Sequence, residues 1–112
     1  MGLRGVLNIS ATLTGPLHDL HSGMHGGLAP NPAQAMAQLI ASMYYPDGRI
    51  AVEGFYDGIA EPTAREIELA LGNPFSAEQY RSVTGVPPVA GDRNFAPALR
   101  VGFRPSIDIN GI

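Results

Sequence analysis

The run Asp19-Leu20-His21-Ser22-Gly23-Met24-His25-Gly26-Gly27, closing on Pro30-Asn31-Pro32, does most to limit what this chain can fold into. Two histidines and three glycines crowd into nine residues. Glycine loses more backbone freedom on folding than any other residue, and proline lacks an N–H, so a long helix or strand cannot run through this stretch cheaply. It reads as a loop separating an N-terminal segment from a helix that starts at Asn31. Glycine also lets a backbone approach another surface closely, and histidine can donate, accept or ligate near neutral pH. This loop is the first candidate for function.

On either side of the loop the apolar residues recur with clear periods. Leu7, Ile9, Ala11 and Leu13 alternate with Asn8, Ser10, Thr12 and Thr14, the period of a strand ending at Gly15-Pro16. Asn31 followed by Pro32 starts a helix, since asparagine can accept from a free amide while proline fits the first turn. Met36, Leu39, Ile40 and Met43 give that helix one apolar face, and it should stop by Tyr45, before Pro46-Asp47-Gly48. Arg49 to Val52 reads as a short second strand, and Gly54-Phe55-Tyr56-Asp57-Gly58 as a loop with two aromatics.

Thr63 and Glu66 form a capping-box pair for a second helix with Ala64, Ile67, Ala70 and Leu71 inward, ending at Gly72-Asn73-Pro74. Ser76 and Gln79 repeat the signature for a third, closing at Gly85. Val86 to Pro97 is an irregular connection. Leu99, Val101 and Phe103 alternate with Arg100, Gly102 and Arg104, and Ile107 and Ile109 continue beyond Pro105, which predicts a final strand, kinked or split at the proline. The expected fold is an α+β two-layer sandwich in one domain, residues 1–112: a small, mostly antiparallel sheet of about four strands with helices on one face. Both ends carry strand-like sequence, as expected of a domain that sits within a longer protein.

Composition narrows the function. At 112 residues the chain suits a module better than a large enzyme with its own cofactor fold. A net charge of −3 gives no basic face for a phosphate backbone, so nucleic acid is not an expected partner. No apolar run approaches the ~20 residues that span a bilayer, and the N-terminus carries no leader pattern, so the expected setting is cytoplasmic. The absence of cysteine removes disulfides, thiolate zinc sites and a cysteine nucleophile. No nucleophile elbow, P-loop or dinucleotide fingerprint is present.

His18, His21 and His25 stand at i, i+3 and i+7, which on a helix would suggest a metal; the glycines among them argue against that helix, and no metal ligand is assigned in this chain. Two readings of His21 stay open. Its ring either hydrogen-bonds backbone and pins the loop, or faces something outside the domain, with Asp19 or Ser22 accepting its other N–H. Asn31 is best explained as a helix cap and, secondarily, as a substrate contact. Glu61, Glu66 and Glu68 read as a solvated helix start.

The Gly2-Leu3-Arg4-Gly5 opening, the Asp19-Leu20-His21-Ser22-Gly23 loop, Gly26-Gly27, Pro30-Asn31-Pro32, Asp47-Gly48-Arg49-Ile50 and Gly54-Phe55-Tyr56-Asp57 together resemble the lid, or dimerisation, domain of M20-family metallopeptidases, nearest to the dipeptidase and carnosinase-like branch. The ending Arg104-Pro105-Ser106-Ile107-Asp108-Ile109-Asn110-Gly111-Ile112 resembles the segment where such a chain re-enters its catalytic domain. The resemblance implies a parent hydrolase with two zinc ions in a catalytic domain outside this chain, acting on a peptide or N-acyl amino acid. It further implies a homodimer in which His21 reaches the partner subunit's active site and stabilises the oxyanion. By itself the chain would be inactive. The alternative is a stand-alone homodimeric binding module with no catalytic activity.

Overall fold

The computed structural model describes residues 4–73 and 75–112. The expected features at Gly2-Leu3 and at Pro74 lie outside the described residues. The described chain forms α1 (Ser22–His25), α2 (Pro32–Ser42), α3 (Ala64–Gly72), α4 (Ala77–Thr84) and α5 (Pro97–Phe103). It divides into two compact units, Gly5–Met43 and Tyr44–Ile112, the second joined by Arg4.

The expected α+β sandwich is not what forms. Among the described residues there is no strand, only an isolated antiparallel bridge between Tyr44 and Ile50. Leu7, Ile9, Ala11 and Leu13 alternate as expected, but residues 5–14 pair with nothing, and Leu7 is 82% exposed. Period-two patterning specifies an extended backbone and a face to bury; a sheet also needs a neighbour at hydrogen-bonding distance, and no local spacing encodes that neighbour. The Arg49–Val52 strand reduces to the bridge at Ile50, across a turn closed by Tyr45 N to Arg49 O (2.9 Å) and Gly48 N to Tyr45 O (2.9 Å).

The last expected strand is a helix for a different reason. Leu99 and Phe103 stand two repeats apart in an alternating pattern, but they are also i and i+4, so five residues satisfy both periods. Pro97 in the first helical turn decides the matter by supplying a helical φ. Leu99 is buried and Phe103 half-buried while Val101, which a strand would place beside them, is 56% exposed. α5 packs against α3. Ile107 and Ile109 follow in extended chain without a ladder.

The three capped helices form where their sequences place them. Asn31 Oδ1 accepts from Ala33 N (3.0 Å) and Gln34 N (3.3 Å) at the start of α2. Thr63 and Glu66 complete a capping box on α3: Glu66 N donates to Thr63 Oγ1 (3.2 Å), and Thr63 N and Oγ1 both donate to Glu66 Oε2 (2.8 Å). Those bonds, the backbone one first, hold the Glu66 carboxyl below its ordinary range. Ser76 Oγ accepts from Gln79 N (3.1 Å) on α4, and Gly85 ends it in a left-handed turn.

In the unit containing Tyr44–Ile112, buried apolar side chains are Ile50 and Leu99, and the buried charge is Asp92. Two loops cross main chain against main chain beside them. Gly48 has φ +88°, and a Cβ built on it would fall onto the carbonyl oxygen of Gly91. No side chain fits there, so glycine is required both by the dihedral and by the approach.

Candidate functional site

The His21 loop, inside the Gly5–Met43 unit, folds around one turn of helix. The His21 carbonyl accepts from Met24 N (3.1 Å) and His25 N (3.0 Å), and Ser22 O from Gly26 N (2.8 Å). Glycines shorten the helix here without preventing it, since Gly26 and Gly27 follow directly after His25. The imidazole of His21 itself caps the turn: Nδ1 accepts from Gly23 N at 3.0 Å. The ring thus hydrogen-bonds backbone and pins the loop, and the residue is also exposed. Neither Asp19 nor Ser22 bonds the ring among the described residues; the orienting group is an amide two residues on.

His18 is exposed and His25 half-buried. Among the described residues no three His, Cys, Asp or Glu side chains are grouped to hold a metal ion. A catalytic metal therefore has no fit to the side chains described here. Asn31 stands at the far end of the loop with its side-chain oxygen engaged by two amides of α2. His21 and Asn31 both work as caps, one on each side of the glycine run.

A second polar cluster, in the Tyr44–Ile112 unit, went unseen in the sequence. The Arg104 guanidinium lies over the rings of Tyr56 (4.9 Å) and Phe95 (4.5 Å), with Nη1 3.0 Å from Glu61 Oε1 and Nη2 3.7 Å from Asp92 Oδ2. Glu61 is thus an ion-pair partner of a residue far along the chain as well as a solvated carboxylate. Asp92 Oδ1 accepts from Asn94 N (3.1 Å) and Nδ2 (2.9 Å), and Arg100 donates to the carbonyl of Ala90. A planar, weakly hydrated guanidinium stacked between aromatics is a common way to bury positive charge beside a carboxylate. Its partners come from two separate segments, 56–61 and 92–95, so no spacing rule could have found it.

A hollow of about 240 Å³ lies in the same unit, lined by Tyr44, Ile50, Pro105, Ile107 and Asp108 among others. Its polar groups face each other: Ser106 Oγ donates to Asp108 Oδ2 (2.9 Å), and Tyr44 Oη to Ile107 O (3.0 Å).

The relatives that this chain matches by sequence are dipeptidases of the M20 family. It is 30% identical over 111 residues to a Cys-Gly metallodipeptidase of Saccharomyces cerevisiae, covering 99% of this chain and 23% of the relative. A cysteinylglycine-S-conjugate dipeptidase of Corynebacterium striatum is 34% identical (89% of this chain, 20% of the relative), and the human Beta-Ala-His dipeptidase 30% identical (84% and 18%). The chain therefore spans about a fifth of the length of the curated relatives it matches. No family model and no solved structure matches it.

Proposed function

We propose that this chain is the lid and dimerisation segment of a cytoplasmic, metal-dependent dipeptidase, and that His21 serves the active site of the partner subunit. The reading is supported by one conjunction: the imidazole is exposed, yet held by Gly23 N, in a chain homologous to dipeptidases. In this reading the metal, two zinc ions, belongs to a catalytic domain elsewhere in the parent. The substrate class is a dipeptide, following the names of the relatives, or a related N-acyl amino acid.

What this chain contributes is a hydrogen-bond donor. When the amide of a peptide is attacked, its carbonyl oxygen gains negative charge, and an imidazole N–H aimed at that oxygen binds the transition state more strongly than the substrate. A donor brought from a second subunit ties activity to dimerisation. In the full-length parent, His21→Ala should lower kcat by ~10²–10³, the usual effect of losing one oxyanion donor. Metal content and dimer mass should stay the same. Unchanged turnover would remove His21 from the mechanism.

A further inference from the structure

We propose that Gly23 is a positioning residue that holds His21 in the tautomer carrying its proton on Nε2, so that the ring can give a hydrogen bond outward but cannot accept one there. This deepens the oxyanion reading above and rests on it for its catalytic meaning.

The inference follows from proton bookkeeping at the ring. A backbone amide can only donate, and Gly23 N lies 3.0 Å from His21 Nδ1. Nδ1 must then present its lone pair, and a neutral imidazole has one proton, which is left on Nε2. A histidine oriented by a carboxylate has the opposite arrangement: Nδ1–H is given to the acid and Nε2 is free to take a proton or a metal. Asp19, two residues from His21, would have imposed that arrangement had it reached the ring. With the amide in its place, the outer nitrogen is set up as an electrophile toward a developing oxyanion, and is unsuited to act as base or ligand.

Gly23 serves this in a second way. A Cβ built on it would lie 2.7 Å from His21 Cε1 and 3.0 Å from Nδ1, closer than such contacts allow. Alanine there would push the ring off the amide. The main chain need not follow, because the turn is held independently through the His21 carbonyl by Met24 N and His25 N. Alanine also favours helix over glycine. The displacement falls on a rotatable imidazole, hence on its aim.

The test starts with the isotopically labelled 112-residue protein well above neutral pH. Expected are a through-hydrogen-bond coupling between the Gly23 amide nitrogen and His21 Nδ1, and a proton on Nε2. Absence of the coupling, or a proton on Nδ1, overturns the proposal whether or not any variant folds. Gly23→Ala should abolish the coupling while the amide spectrum outside the loop is retained. In the full-length parent the same substitution should lower kcat roughly 10²-fold, as a small misplacement of a catalytic group does, with little change in KM. Full turnover in Gly23→Ala beside a crippled His21→Ala overturns the positioning role and leaves the lid reading intact. A harmless His21→Ala with the coupling present overturns the lid reading and leaves only the tautomer assignment standing.

Discussion

Asp47 shows how one side chain can organise a turn from both near and far. Its Oδ1 accepts from Arg49 N (3.1 Å), and its Oδ2 from Arg49 Nε (2.7 Å) and Asn94 Nδ2 (3.0 Å). The Asn94 bond first, then the Arg49 amide, hold the carboxyl down at about 2, from an ordinary 3.8. A depressed acid stabilises the fold fully above its unfolded value and stops doing so as pH falls through its folded value. Wild type and Asp47→Asn should therefore differ most in thermal midpoint above pH 3.8 and converge toward about pH 2. A difference independent of pH over that window would show that the carboxylate charge contributes nothing. The turn itself was readable in Pro46-Asp47-Gly48; the bonds to Arg49 and to Asn94, the latter 47 residues away, were not. The His21 loop divides the same way. Its glycines and histidines announced a special backbone, but Asp19 and Ser22 were the natural guesses for an orienting partner, and the partner is an amide that sequence patterns do not display.

At the level of elements, legibility tracks how local the determining forces are. α2, α3 and α4 begin at Asn31, Thr63 and Ser76, because a cap and an apolar face lie within a few residues of each other. α5 was mistaken for a strand because Leu99 and Phe103 fit both periods, and the sheet failed because its pairing is not a local property. The caps make a direct prediction. Asn31→Ala should cost about 1 kcal/mol in denaturant unfolding, with Asn31→Asp close to wild type, since either oxygen can accept from Ala33 N and Gln34 N. An unaffected Asn31→Ala protein would mean that α2 is held by its packing and leave the residue free for another use.

For the molecule as a whole, few apolar side chains are buried within either unit among the described residues. Val6, Leu7, Ile9 and Leu28 all stand more than four-fifths exposed. Such apolar surface is unfavourable by some 25 cal/mol per Å² left in water, which favours association. Sedimentation of the 112-residue protein should accordingly show concentration-dependent mass, moving from monomer toward dimer. Monomer alone at high concentration would assign the covering surface to the parent enzyme. The bare N-terminal run also decides how the protein can be handled. Left in water, such a run favours aggregation at high concentration. Leu17, wholly in solvent, is where a charged residue could improve solubility without disturbing a packed neighbour.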